Sequence, residues 1–240
     1  MSIPKIIHYC WFGGGPISPE NRKCIESWKK YCPDYKIMAW NEQNFDISQN
    51  RYAQQAYEAK KYAFVSDYAR LAVLYEYGGI YLDTDVELVR PLDELLQYKG
   101  FIGMEHSAPS PYGRTLLVNT GSGVGAEPGC EMIGKMLASY RNAAFIQETG
   151  EPDLRTCTQR DTPLFTKAGL QQKNEQQELD GFLVLPTDCF SPFDYVTERM
   201  HRTPRTFGIH YCHGSWQSGD KANRWRKRFK CTKVGRWCMW

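Results

Sequence analysis

The sequence predicts an α/β protein with a mainly parallel central sheet and helices on both faces. Three observations carry that prediction. Short apolar, β-rich runs alternate with segments of helical spacing, the first runs are followed by glycine-rich or acidic loops, and no internal repeat or low-complexity linker interrupts the order.

Ile3 to Trp11 is the first such run, and Gly13-Gly14-Gly15-Pro16 stops it, placing a loop at the carboxyl end of a strand, where α/β proteins bind ligands. Pro19 to Tyr31 carries Cys24, Ile25 and Trp28 at helical spacing, and Tyr35 to Trp40 follows as a second strand. Two helices are expected over Arg51 to Lys60 and Tyr62 to Tyr77, the second ended by Gly78-Gly79, with a short strand at Ile80 to Leu82. Farther on, the pattern predicts a helix near Leu92 to Tyr98, strands near Phe101 to Met104 and Thr115 to Val118, and a helix near Cys130 to Tyr140. A short helix is expected after Pro163, and a late strand at Phe182 to Leu185.

The chain of 240 residues is long enough to bury a core as one domain, expected over 1–220 with a basic tail over 221–240. A net charge of +3 is too small to imply nucleic-acid binding. Nine cysteines without CxxC spacing suit reduced, buried thiols rather than a disulfide framework, which fits a cytoplasmic setting. The stretch before Gly13 is too short and polar for a signal h-region or a membrane span, so export through a signal peptide is not expected.

The informative segment is Gly78-Gly79-Ile80-Tyr81-Leu82-Asp83-Thr84-Asp85. In extended backbone, residues two apart project to one side, so both carboxylates can address one hard divalent cation, Mn²⁺ or Mg²⁺, with substrate phosphates in its shell. A diphosphate is the natural ligand of such a pair. An Asp-x-Asp also suits a solvated turn. Ser66, Asp67 and Arg70 interrupt the apolar face of the preceding helix; Asp67 and Arg70 either pair on its surface or stand beside the acidic strand end, Arg70 orienting a carboxylate and Asp67 a sugar hydroxyl.

Ile3-Pro4-Lys5-Ile6-Ile7-His8, Trp11-Phe12-Gly13, Ser66-Asp67-Tyr68-Ala69-Arg70, Leu74 through Asp85 and the late His210 and Ser215-Trp216 together resemble glycosyltransferase family 32, the sugar-transferase family with the Asp-x-Asp motif. That family includes an initiating α-mannosyltransferase and bacterial capsular-polysaccharide and lipopolysaccharide enzymes. The match covers most of 3–126 and 205–217, and is loose over 141–200.

The resemblance implies a GT-A fold, a nucleotide-sugar donor and transfer with retention of configuration. It places Trp11 on the nucleobase, Asp83 on ribose and metal, Asp85 on metal, and His210 as the third metal ligand, with His213 as its rival. Asn119 would contact the donor sugar and Asp161 its hydroxyls, although Asn119 also suits a turn and Asp161 a helix N-cap. Asp67, Arg70 and Asp161 are the catalytic candidates. Ser215 and Trp216 would close over the diphosphate from a mobile loop. No enzyme nucleophile or base stands out, and a front-face substitution, in which the leaving diphosphate helps accept the acceptor's proton, is preferred. The donor expected is a UDP-hexose, with GDP-mannose next, and the acceptor a saccharide or lipid-linked saccharide of a bacterial surface glycan.

Lys221 to Trp240 interleaves Arg224, Arg226, Lys227, Arg228, Lys230, Lys233 and Arg236 with Trp225, Phe229, Trp237 and Trp240. That composition suits peripheral contact with the inner face of the plasma membrane, or a solvated charged terminus with aromatics packed back. No RNA-binding motif accompanies it.

Three rival readings remain. A phosphatase of the haloacid dehalogenase type also places Asp-x-Asp after an apolar strand, but near its N-terminus. A calcium module would use Asp83, Asp85 and Glu87 at loop positions one, three and five, where the sixth should be glycine and is Leu88. A sugar-binding protein with the same fold and no turnover is the third.

Overall fold

The computed structural model describes residues 2–194, 197 and 199–212. His213, Ser215, Trp216 and the whole tail 221–240 lie outside the described residues.

The chain runs β1 Ile6–Cys10, α1 Pro19–Tyr31, β2 Lys36–Trp40, α2 Arg51–Glu58, α3 Tyr62–Tyr77, β3 Gly79–Tyr81, β4 Val86–Leu88, β5 Gly100–His106, β6 Leu116–Ala126 and α4 Glu131–Ala138. It continues with α5 Cys157–Lys167, β7 Gln177–Leu179, β8 Phe182–Leu185, α6 Thr187–Phe190, β9 Phe193–Asp194, β10 Arg199–Met200 and β11 Gly208–His210. Seven strands form the central sheet in the order β2-β1-β3-β6-β5-β8-β7. β1, β2, β3, β5 and β8 share one direction; β6, between β3 and β5, and the edge strand β7 run against it. This is the mostly parallel α/β arrangement that the sequence predicts.

Strand alternation explains the two cores. Ile7 in β1, Ile80 in β3, Phe101 in β5 and Leu183 in β8 point to the face covered by Ile25 and Trp28 of α1. Cys10, Tyr81, Ile102 and Val184 point to the face covered by α2, α3, α4 and α5. A helix-packed apolar layer on both sides is what makes the strands read as nearly continuous apolar runs.

Local chemistry fixes the helix ends. Ser18 caps α1 by accepting from the Asn21 amide, with Pro19 in the first turn. Gly78 and Gly79 end α3 at φ +63° and +98°, and a Cβ on Gly79 would lie 2.8 Å from His8 Nε2. His8 is buried there in β1. Its Nε2–H donates to the Gly78 carbonyl at 2.8 Å and its Nδ1 accepts from Trp40 Nε1–H at 3.0 Å, so burial holds the ring neutral with a pKa lowered to about 4.

The structure departs from the sequence expectation in four places. The expected helix near Leu92 is only a 3₁₀ turn at Asp93–Leu95. The strand expected at Thr115 to Val118 extends through Gly121, Gly123 and Gly125 to Ala126. Those glycines are places of close approach, since a Cβ would meet Asp83, Phe190 and Phe101 at 2.2, 2.7 and 2.4 Å respectively. The short helix expected after Pro163 begins instead at Cys157, with a Thr156–Gln159 capping box and Pro163 inside it, so Asp161 is a mid-helix residue and not an N-cap. Finally, β4 and β11 pair antiparallel outside the main sheet, a long-range pairing with no local signal.

Candidate active site

The site forms at the carboxyl ends of β1 and β3. Leu82 donates to the His8 carbonyl at 3.1 Å and Asp83 to the Gly121 carbonyl at 2.9 Å, so the backbone leaving β3 is held from both sides up to the first carboxylate. The chain then turns, with Val86 N–H donating to the Asp83 carbonyl at 3.0 Å. Extended backbone was expected to bring the two carboxylates to one side; a tight turn does so instead. Thr84 is turned away, its hydroxyl accepting from Asn21 Nδ2 at 2.8 Å.

The third member comes from far along the chain. β11 pairs with β4 in the register His210 to Val86, and Tyr211 N–H donates to the Asp85 carbonyl at 3.1 Å. That pairing sets His210 Nε2 3.5 Å from Asp85 Oδ1. One ligand atom from each of Asp83, Asp85 and His210 falls within 4.8 Å of the others. Two carboxylates and an imidazole at this separation fit a divalent cation such as Mn²⁺ or Mg²⁺. Burial weakens the hold of His210 on a proton, and Cys212 and the Asp85 carboxylate outweigh it, leaving the imidazole pKa well above its ordinary value.

Arg70 organises the acidic side. Its side chain is 4% exposed and it is spread flat over the Tyr81 ring at 4.8 Å. Nε donates to the Ser66 carbonyl at 3.1 Å, Nη1 to Thr120 Oγ1 at 3.1 Å, and Nη2 to Asp83 Oδ1 at 3.2 Å. Nη2 also lies 3.1 Å from Asp67 Oδ1. The i, i+3 pair expected on a helix surface is therefore a buried one, tied to the acidic strand end. Tyr81 adds a second donor to Asp83 Oδ1, at 2.9 Å. Asp83 Oδ2 packs against Gly121, where a Cβ would stand 2.2 Å away.

Behind this lies a second buried carboxyl. Asp161 is 1% exposed on α5, and neither carboxyl oxygen has a hydrogen-bond partner. Burial, reinforced by Asp67, pushes its pKa up to about 8, and burial raises Asp67 to about 6. Arg160, its neighbour in sequence, is instead committed to Asp153 at 2.7 Å and lies over the rings of Tyr52 and Tyr140.

Asn119 sits in β6 beside the bulge between Ile102 and Gly103. Its Oδ1 accepts from the Gly121 amide at 2.7 Å and its Nδ2 donates to Glu105 Oε2 at 2.7 Å, so it braces the strand next to Asp83. Trp11 follows β1, half-buried, with Nε1–H donating to the Gly15 carbonyl at 2.6 Å. The structure thus brings together Asp67, Arg70, Asp83, Asp85, Asn119, Asp161 and His210. Trp11 stands at the neighbouring strand end.

Sequence reasoning missed Tyr81, Thr120, Glu105 and Cys157, whose thiol accepts from Arg70 Nη1 at 3.7 Å. Tyr81 was findable, because it precedes Asp83 by two residues. The others depend on tertiary contact.

Two rival readings lose their geometry. Glu87 lies in β4 and bonds the Tyr211 hydroxyl, so residues 83–88 are a turn and a strand and not a calcium loop. Asp83 follows the third strand of the chain and accepts from both Arg70 and Tyr81, unlike a phosphatase nucleophile at the end of a first strand.

Comparison with known proteins agrees. The chain is 33% identical over 112 residues to inositol phosphoceramide mannosyltransferase 3 of Schizosaccharomyces pombe, covering 42% of this chain and 29% of that protein. It is 37% identical over 84 residues to glucan organizing enzyme 1 of Cryptococcus neoformans var. grubii, covering 34% and 22% respectively. The chain thus spans less than a third of either relative. Among solved structures, the PaToxG glycosyltransferase aligns at 24% identity and a TM-score of 0.48, over 70% of this chain and 72% of that one. Residues 18–102 match the family described as the glycosyltransferase sugar-binding region containing the DXD motif. That matching segment holds Asp67, Arg70, Asp83 and Asp85.

Proposed function

We propose that this protein transfers a hexose from a nucleotide-sugar donor, with retention of configuration, to a saccharide or lipid-linked saccharide acceptor. The observation that carries the proposal is the convergence of Asp83, Asp85 and His210 within 4.8 Å at a strand end, with Arg70 holding Asp83. Bound there, a divalent cation supplies positive charge for the departing nucleoside diphosphate. Asp83, Asp85 and His210 would hold it. Arg70 holds Asp83 in place through its Nη2 contact, and Trp11 offers its indole to the base.

Asp67 and Asp161 are assigned the sugar hydroxyls. The two oxygens of Asp161 have no partner, and a buried carboxyl in that state fits a hydroxyl donor arriving with the ligand. Asn119 supports the strand from which the sugar is approached. The sequence singles out no enzyme nucleophile, and a front-face substitution, with the diphosphate oxygen taking the acceptor's proton, is the mechanism we favour. Ser215 and Trp216 keep their assignment to closure over the diphosphate.

The similarity to inositol phosphoceramide mannosyltransferases of Schizosaccharomyces pombe puts GDP-mannose beside the UDP-hexoses as a donor to test first, and a lipid-borne acceptor beside surface polysaccharides. Among the described residues no helix is long and apolar enough to cross a membrane. Peripheral contact through the basic tail is part of the proposal.

The test is donor binding and hydrolysis over a panel of UDP- and GDP-sugars with Mn²⁺, for wild type and Asp85→Ala. Cation-dependent turnover of one donor, lost in the variant, is the expected result. Binding without turnover would favour a sugar-binding protein, and phosphate release from simple phosphoesters without donor binding would favour the phosphatase.

A further inference from the structure

The imidazole of His210 has two occupied sides. Nε2 faces Asp85 Oδ1 at 3.5 Å, on the side of the acidic pair. Nδ1 faces the Cys212 thiol, with Sγ also at 3.5 Å. A third group joins them: one ligand atom from each of Glu105, His210 and Cys212 lies within 4.8 Å of the others. The proposed transfer uses neither Cys212 nor Glu105.

From this we infer a second metal site, built from Cys212, His210 Nδ1 and Glu105 and selective for a thiophilic divalent cation, Zn²⁺ being the natural occupant. The geometry is specific. Zinc bonds of about 2.3 Å to sulfur and about 2.0 Å to nitrogen at a tetrahedral angle put the two ligand atoms roughly 3.5 Å apart. That is the separation of His210 Nδ1 and Cys212 Sγ.

The donor set separates the two sites by chemistry: thiolate and imidazole select a soft cation, whereas Asp83 and Asp85 select a hard one. Glu105 already has its orienting contact, with Asn119 Nδ2 donating to Oε2 at 2.7 Å. Cys212 holds a left-handed backbone at φ +49°, a conformation that non-glycine residues adopt at a cost and that recurs at functional sites.

There is also a way in. Glu105 and Cys212 line a cavity of 370 Å³, whose other wall includes Arg114, Asp188, His201 and Arg205. Two of the three ligands thus border a space large enough for water, which suits a three-ligand site with an exchangeable fourth place.

Binding converts the Cys212 thiol to thiolate and removes any proton on His210 Nδ1, both protons passing to solvent, and uses the Nδ1 lone pair. A neutral imidazole has one lone pair. With Nδ1 on zinc the ring proton sits on Nε2, which then cannot ligate a cation at the acidic pair. The two sites thus compete for one ring, and zinc weakens manganese binding at the acidic pair and acts as an inhibitor of the manganese-loaded protein. Only this inhibitory consequence rests on the proposed transferase activity; the site itself does not.

The experiment uses the full chain without added manganese, titrated with Co²⁺ as a spectroscopic substitute and with Zn²⁺ in competition. One cobalt with a sulfur-to-cobalt charge-transfer band, displaced by zinc and weakened by excess Mn²⁺, is expected. Cys212→Ser loses the band and at least about tenfold in zinc affinity, with unchanged circular dichroism. Glu105→Gln, which keeps the thiol, retains the band and binds zinc about tenfold more weakly. No band in wild type, or a band of full strength in Cys212→Ser, which would place the metal on another cysteine, overturns the inference. If no donor is turned over by any variant, the transferase reading fails while the cobalt spectrum still decides the site.

Discussion

Arg70 Nη2 stands 3.2 Å from Asp83 Oδ1; the Arg70 side chain is 4% exposed and that of Asp83 is 29% exposed. One partner of the pair is structural in its surroundings and the other faces the cleft. Asp67, 3.1 Å from the same nitrogen, makes the guanidinium the common partner of two carboxylates.

Removing that partner leaves Asp67 buried and unpaired. Arg70→Ala is expected to lose about 3–5 kcal/mol of stability in urea denaturation. Arg70→Lys keeps the charge but cannot serve Ser66, Thr120, Asp67 and Asp83 at once, and should lower donor turnover by about 10²-fold with a smaller stability loss. An Arg70→Ala variant as stable as wild type would contradict this account.

Gly121 is required by a neighbour and not by its own backbone. Gly121→Ala places a methyl 2.2 Å from Asp83 Oδ2, and that carboxylate must move. Cation and donor affinity should fall by about tenfold or more. Gly123→Ala meets the Phe190 ring at 2.7 Å, away from Asp83, and should lower the melting temperature while leaving affinity per folded molecule intact. Equal effects of the two substitutions on affinity would refute the distinction.

The raised pKa of Asp161 fixes a sign. Its folded value of about 8 exceeds the ordinary 3.8, so the folded state holds the proton more tightly. Its contribution is greatest at low pH and is lost as pH rises from about 4 to about 8. Asp161→Asn cannot titrate, so its stability relative to wild type should improve by about 1.4 kcal/mol per pH unit across that window. Denaturation curves at several pH values read the difference directly, and parallel pH profiles would show that Asp161 ionises normally.

His8 has the opposite sign. Its pKa is lowered from 6.5 to about 4 by burial, so its contribution is present above pH 6.5 and is lost as pH falls toward 4. The imidazole resonances of His8 should stay in the neutral form at pH 5.5. Trp40→Phe removes the donor to Nδ1 and should cost about 1–3 kcal/mol, since a buried acceptor is left unmet. A His8 that titrates near 6.5 would exclude the buried neutral ring.

Much of the site was legible before folding was considered. Gly78 through Asp85 identified a stopped helix, a short strand and its carboxylates, because each step has a local cause in backbone conformation and period. Asp67 and Arg70 announced themselves by interrupting an apolar helix face. Asp161 was placed in the right neighbourhood and the wrong element, because Pro163 signals a helix start locally and the Thr156 capping box outweighs it. The glycines of β6 carried the same ambiguity: sequence cannot tell a turn from a place where another residue's side chain needs the room.

The sequence by itself determined the α/β class, the order of its first elements and the placing of two carboxylates directly after a short strand, since these rest on periodicity, stop signals and residue type. Tertiary structure alone decided the rest. The β4 and β11 pairing brings His210 across more than a hundred residues to Asp85, with its second nitrogen at Cys212 and with Glu105 close to both His210 and Cys212. Such contacts form through backbone hydrogen bonds and packing between distant segments, which leave no periodic trace in either segment.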